Sequence, residues 1–214
     1  KSQGALVTFD VENSAEQISV FTTRPDTIYG ATFIVLAPEN PLVKNFTTVN
    51  NQEEVNNYIE ETSKRTERDR MADVKNVSGA FTGSFAINPF TKEKMPVYIS
   101  DYVLMGYGTG AVMAVPCGDE RDYAFANFFK EQQGMSAIKN IFDKDISEAA
   151  FGAKEGFQLV DSDFLNGLDY KKGTQKGIEE LEKINQGKGK TNYRLRDAVF
   201  SRQRYWGEPF PVYY

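Results

Sequence analysis

Apolar and polar positions alternate with a period of two near the start of the chain. Val7-Thr8-Phe9-Asp10-Val11 and Ile18-Ser19-Val20-Phe21-Thr22-Thr23 predict two strands around the polar turn Glu12-Asn13-Ser14. Arg24 precedes Pro25 and is held extended, so the second strand leads into a turn at Pro25-Asp26. The apolar run Ala31–Ala37 predicts a third strand, ended by Pro38 and Pro41. Over residues 51–70 the period becomes helical, with Val55, Tyr58, Ile59 and Thr62 making a narrow apolar stripe. Residues 78–103 return to short strands, among them Pro96–Ile99 and Tyr102–Leu104, with turn signals at Thr82-Gly83 and Asn88-Pro89. Gly106, Gly108 and Gly110 lead into a buried strand, 111–115, rather than a helix, and no Gly-Lys-Ser/Thr follows; they predict a bulge or hairpin, not a phosphate loop. Two helices complete the pattern. One spans 119–133, with Tyr123, Ala126 and Phe128 or Phe129 inward and Gly134 at its end. The other spans 174–186, with Ile178, Leu181 and Ile184 inward and Gly187 at its stop. Early strands, later helices and no βαβ alternation place the chain in the α+β class with a mostly antiparallel core.

Composition narrows the chemistry. The 214 residues contain no histidine and one cysteine, Cys117. A Ser-His-Asp or Cys-His triad, a His-ligated zinc, a Cys-x-x-Cys site and an internal disulfide are all excluded. Cys117 reads as a small buried apolar residue. At 40% hydrophobic and 26% charged residues the chain has ample material for one core, and no run approaches a membrane span. It opens on Lys1-Ser2-Gln3-Gly4 and stops in the strand-like Phe210–Tyr214, which reads as a piece of something longer. The net charge of −5 argues against general nucleic-acid binding. It is uneven, however: residues 1–170 carry 15 Lys/Arg against 25 Asp/Glu, and residues 171–214 carry 10 against 5. The basic end suits either a phosphate or a solvated surface.

Two segments concentrate polar groups. Thr22-Thr23-Arg24-Pro25-Asp26-Thr27 sets three hydroxyls, a guanidinium fork and a carboxylate at a strand end. Asp119-Glu120-Arg121-Asp122 opens a helix, where one carboxylate can face a cleft and take a substrate ammonium. Read separately, each is better explained structurally, the first as a hydrogen-bonded turn and the second as acids satisfying free N–H groups and the helix dipole.

Read together, they say more. Thr-Thr-Arg-Pro-Asp-Thr, then Gly108-Thr-Gly-Ala-Val-Met-Ala-Val-Pro116, then Asp119-x-Arg-Asp-Tyr-x-Phe-Ala126 closely resemble the editing domain inserted in leucyl-tRNA synthetases. Asn166-Gly-Leu-Asp169 and Asn192-Tyr-Arg-Leu-Arg-Asp197 agree with it. Ser201-Arg-Gln-Arg-Tyr-Trp-Gly207 resembles the chain's return into the catalytic domain. The valyl and isoleucyl enzymes share the first motif or a relative of it, and Gly-Thr-Gly, but differ later.

The resemblance implies a small closed β-barrel, mainly antiparallel, with peripheral helices. It implies an editing domain over 1–190 and the start of the catalytic domain over 191–214. Thr22 and Thr23 match positions that contact the substrate and place the hydrolytic water. Arg24 matches a residue that holds the terminal adenosine of the tRNA, and Tyr107 a position beside that adenosine. Thr27 matches the threonine that crowds out leucine, Met113 and Val115 the pocket wall, and Asp122 the aspartate that binds the α-ammonium, with Asp119 beside it. Where the family commonly has a histidine, this chain has Gly118. The implied activity is hydrolysis of the ester of mischarged tRNA(Leu), carrying for example norvaline or isoleucine. It needs no metal and no cofactor, and ATP belongs only to the parent's catalytic domain. The implied partners are the tRNA 3′ end and the rest of the synthetase, in a cytoplasmic monomer. Amino-acid activation is excluded within this chain, because His-Ile-Gly-His and Lys-Met-Ser-Lys-Ser are both missing. The alternative is a degenerate module that only binds tRNA or supports the parent enzyme.

Overall fold

The computed structural model describes residues 2–73, 76–106, 108–131 and 135–193. The chain begins with an antiparallel pair, β1 (Ser2–Val11) and β2 (Gln17–Thr22), in which Val7 faces Val20 and Phe9 faces Ile18. A buried 3-10 turn, Pro25–Gly30, follows, and then β3 (Phe33–Leu36). Three helices form the crossover: α1 (Leu42–Phe46), α2 (Gln52–Ser63) and α3 (Glu67–Ala72). The single helix expected over 51–70 is therefore broken. Thr66 caps α3 and forms a reciprocal capping box with Asp69, which starts a new helix instead of extending the old one.

β4 (Ala80–Ile87) and β5 (Lys94–Ile99) form a hairpin. Thr82-Gly83 is not a turn between strands. It is a bulge within β4, with Gly83 at φ +88° and pressed so close to the Thr48 side chain that a Cβ has no room. Tyr102–Leu104, expected as a strand, is a turn closed by Val103 N–H to the Ser100 carbonyl. β6 (Ala111–Ala114) follows, then α4 (Glu120–Phe128) and α5 (Tyr170–Lys183), and β7 (Gly187–Asn192) ends the described fold. On α4 the inward residues are Phe125 and Ala126, with Phe129 just beyond the helix, while Phe128 is exposed. α5 starts four residues before the expected position because Asp169 caps it. Ile184 lies past its end and is exposed, and Gly187 opens β7 rather than stopping a helix.

The strands make one seven-stranded mixed sheet in the order β2-β1-β4-β5-β3-β6, with β7 beside the first half of β1. Only β3–β5 is parallel, as the helical crossover between them allows. One face of the sheet curls onto a common apolar interior that contains Phe9, Ile18, Ile34, Val97 and Met113. The other face of β3, β5 and β6 presents Phe33, Tyr98 and Ala114 to Phe125 and Phe129. β3 is consequently buried on both faces, which is why its sequence is uninterruptedly apolar.

The closed barrel is corrected by this architecture. Among the described residues β2 and β6 are the two ends of the main strand order, β7 being a further edge beside β1, and no backbone ladder joins β2 to β6. β6 is only four residues long, between Gly110 at φ +67° and Pro116, while β2 ends at Thr22 before the turn into Pro25. A cavity occupies the gap. Among the described residues no helix is long and apolar enough to cross a membrane.

Candidate functional site

The cavity between the two sheet edges has a volume of about 270 Å³. Phe21, Thr22, Thr23, Arg24 and Thr27 line it from the β2 side. Val112, Met113 and Val115 line it from the β6 side, and Gly118, Asp119 and Asp122 from the start of α4. The structure thus gathers eight of the nine residues singled out in the sequence. The ninth, Tyr107, lies outside the described residues, as does the Ser201–Gly207 stretch. Phe21 and Val112 are wall residues that the sequence reading missed. They differ from core residues only in facing a gap, and strand periodicity carries no sign of that.

The β2 side is held by local bonds. The Arg24 N–H donates to Thr22 Oγ1 at 3.0 Å, so the Thr22 hydroxyl keeps its own proton available for another acceptor. The Thr27 hydroxyl donates to the Arg24 carbonyl at 2.9 Å. Arg24 Nε and Nη2 grip the carboxylate of Asp26 at 2.9–3.1 Å, and Asp26 is fully buried. Burial pushes the Asp26 carboxyl above its ordinary range although Arg24 opposes it. The guanidinium also lies 5.1 Å from the Tyr170 ring centre, 5.6 Å from Phe157 and 5.9 Å from Phe142. An aromatic cage and a bidentate partner therefore fix its fork.

The α4 side carries the acids. Asp119 is the N-cap, and its Oδ1 accepts the N–H groups of Arg121 and Asp122 at 2.9 and 3.2 Å. Asp122 is 5% exposed. Its Oδ1 accepts the Tyr102 hydroxyl at 3.0 Å and its Oδ2 accepts the Val115 N–H at 2.8 Å. Burial, helped by the negative charge of Asp119, pushes its carboxyl up to about 7. Cys117 is fully buried and its thiol is pushed up to about 11, chiefly by burial, so it is an inert apolar side chain at neutral pH. Among the described residues no three His, Cys, Asp or Glu side chains gather as a metal site requires.

Comparison with known proteins identifies the family of the chain. The chain matches the family described as "Leucyl-tRNA synthetase, editing domain" over residues 1–182. It belongs to the leucyl-tRNA synthetase editing-domain family. It is 70% identical to the leucine–tRNA ligase of Flavobacterium johnsoniae, an alignment that takes in 100% of the chain and 22% of that protein. It is 63% identical to the ligase of Flavobacterium psychrophilum, over 100% of the chain and 24% of that protein. A solved leucyl-tRNA synthetase of Agrobacterium radiobacter K84, crystallised as a ternary complex with tRNA and LeuAMS, matches the fold. Its TM-score is 0.66 at 33% identity, covering 91% of this chain and 20% of that one. The chain therefore spans about a fifth to a quarter of the length of these relatives. In this editing domain one cavity is lined by Thr22, Thr23, Arg24, Thr27 and Asp122.

Proposed function

We propose that the domain performs post-transfer editing: it hydrolyses the aminoacyl ester of mischarged tRNA(Leu), such as norvalyl- or isoleucyl-tRNA(Leu), and spares the leucyl ester. What carries this reading is the meeting, across the open edges of the sheet, of Thr22, Thr23, Arg24 and Thr27 with Met113, Val115 and Asp122 in one cavity.

An aminoacyl ester is reactive enough to be cleaved by water without a covalent enzyme intermediate. Water oxygen bonds to the carbonyl carbon, the ester C–O bond to the ribose breaks, and the ribose oxygen leaves with a proton. The domain needs to place the water, orient the ester and stabilise the developing oxyanion. The Thr22 and Thr23 hydroxyls suit the first and last of these tasks. Asp122 receives the α-ammonium, because each of its oxygens already holds one donor and has a lone pair to spare. Arg24 and Tyr107 receive the terminal adenosine. Thr27 supplies exclusion: its hydroxyl is spent on Arg24, which leaves its methyl to meet the ligand beside Met113 and Val115. A pocket separates ligands one methylene apart by only about 1–3 kcal/mol, which is why a second, hydrolytic sieve is of use to a synthetase.

Residues 1–190 act as the editing unit and 191–214 lead back into the catalytic domain of a cytoplasmic, monomeric ligase. The partners are the tRNA 3′ end and the rest of that ligase. Editing uses no cofactor, and ATP serves only the parent's synthetic site.

The test is deacylation by the full-length ligase carrying this domain. D122A is expected to lower clearance of norvalyl-tRNA(Leu) by about 10- to 100-fold, the worth of a charge-assisted bond. T27A is expected to gain hydrolysis of leucyl-tRNA(Leu). Full clearance by D122A, or intact leucyl-tRNA(Leu) with T27A, would sink the respective role. A wild-type enzyme that clears neither ester would leave the domain a tRNA-binding or supporting module.

A further inference from the structure

We propose that Tyr102 is a positioning residue for this reaction: its hydroxyl holds the Asp122 carboxylate in the orientation that receives the substrate ammonium. The inference rests on the role given to Asp122 above. Three separate elements meet at that carboxylate. Asp122 sits in the first turn of α4, Val115 directly follows β6, and Tyr102 belongs to the turn after β5. Rotation about the last bond of an aspartate side chain is soft. One bond, from the Val115 N–H, would leave Oδ1 free to swing; the Tyr102 hydroxyl at 3.0 Å removes that freedom. The phenol is itself fixed, lying edge-on to Phe125 at 6.0 Å, three residues along α4 from Asp122.

The direction of approach separates Tyr102 from the substrate. Beside the 270 Å³ cavity lies a second one of about 600 Å³, and the two share Gly118 and Asp119 in their walls. Tyr102 lines only the larger cavity, and Asp122 lines only the smaller. The hydrogen bond therefore crosses the wall between them. Tyr102 thus reaches the carboxylate from the side of the larger cavity, while Asp122 itself borders the smaller one.

The same bond favours the ionised carboxylate. Asp119 beside it works against ionisation and Arg121 works for it; Glu120 on the same turn of α4, Arg70 and Asp73 on the wall shared with Tyr102, Cys117 after β6 and Arg24 across the smaller cavity are further titratable or charged groups around it. Y102F keeps the ring on Phe125 and removes only the hydroxyl. In the full-length ligase, the acid limb of kcat/KM for norvalyl-tRNA(Leu) deacylation, which reports the free enzyme, is expected to move up by about one pH unit. Binding of a non-hydrolysable 3′-norvalylamido-adenosine is expected to weaken about ten-fold at pH 6 and about two-fold at pH 8. A uniform loss at both pH values, or an unmoved midpoint, means that Tyr102 only packs, and overturns the inference. The desamino analogue keeps the two readings apart. If wild type binds it as well as the amino form, the role of Asp122 fails. If wild type discriminates and Y102F leaves the pH dependence unchanged, only the role of Tyr102 fails.

Discussion

At the scale of single residues, the site holds two carboxylates that water would stabilise better than the fold does. Asp122 binds its proton more tightly folded, at about 7, than unfolded, at 3.8. The unfolded chain therefore releases that proton first as pH rises. Stability from this group is fully present below pH 4 and is lost as pH rises through about 7. D122N removes the cost of burying a charge, so it is expected to melt above wild type at pH 8, with the advantage shrinking toward pH 4. The difference at pH 8 is on the order of a few kcal/mol, measurable by thermal unfolding at both pH values. The variant would thus gain stability while losing the carboxylate proposed to anchor the ammonium, a trade expected where function holds a charge out of water. Asp26 behaves oppositely on mutation of its partner. R24A leaves a fully buried carboxylate without its fork, and a loss of about 3–5 kcal/mol in urea unfolding is expected. Reduced editing by R24A alone would therefore say little about adenosine binding. Thr22, Arg24, Thr27 and Asp122 were legible in the sequence only because their motifs, taken together, resemble those of a known family; the side-chain chemistry of each segment alone favoured a structural role. The sequence could not name Tyr102 or Tyr170, whose partners lie 20 and about 147 residues away in the chain and meet only in the folded state.

At the scale of elements, the Pro25–Gly30 turn takes its shape from α5. Gly173 and Gly177 lie one turn apart on that helix, and both face the turn. A Cβ at Gly173 would come within 2.9 Å of Leu159 and 3.2 Å of the Asp26 Cβ; one at Gly177 would be 3.2 Å from the Pro25 carbonyl. The helix also sends Thr174 Oγ1 to Asp26 and Tyr170 Oη to the Thr23 carbonyl, both at 3.4 Å. G173V is therefore expected to cost about 1–3 kcal/mol and to lower deacylation kcat/KM, while leucylation by the full-length enzyme stays unchanged. A parallel loss of both activities would place the effect elsewhere. Elements of this kind were unequally legible. β1, β2, β3 and the stripe of α2 announce themselves because one or both faces are buried and the sequence repeats accordingly. The α2–α3 break hid inside a continuous polar stretch, although Thr66-x-x-Asp69 is a capping signal. β7 hid completely, because Gly187-Lys-Gly-Lys-Thr-Asn192 contributes backbone pairing with almost no apolar side chain.

At the scale of the whole molecule, the opening in the sheet and the position of β7 have a common logic. A barrel closed by hydrogen bonds would fill the gap where the cavity stands; leaving the β2 and β6 edges unpaired lets Thr22 and Met113 line that cavity and keeps the interior packed. β7 covers the edge of the first half of β1. β7 pairs with β1 over six positions, from Ser2 with Asn192 to Val7 with Gly187, and this brings the two ends of the described fold side by side. Residues 1–193 alone are expected to unfold in one cooperative transition. Cutting the chain at residue 186 removes β7 and leaves the first half of β1 with bare N–H and C=O groups on one side. Few apolar side chains leave with it, so the predicted loss is only about 1–3 kcal/mol, the worth of a few net backbone hydrogen bonds. The larger consequence is self-association through the exposed edge. Urea unfolding gives the first quantity, and sedimentation over a range of protein concentrations the second. A truncated chain as stable and as monomeric as 1–193 would show that β7 belongs to the flanking domain rather than to the editing fold.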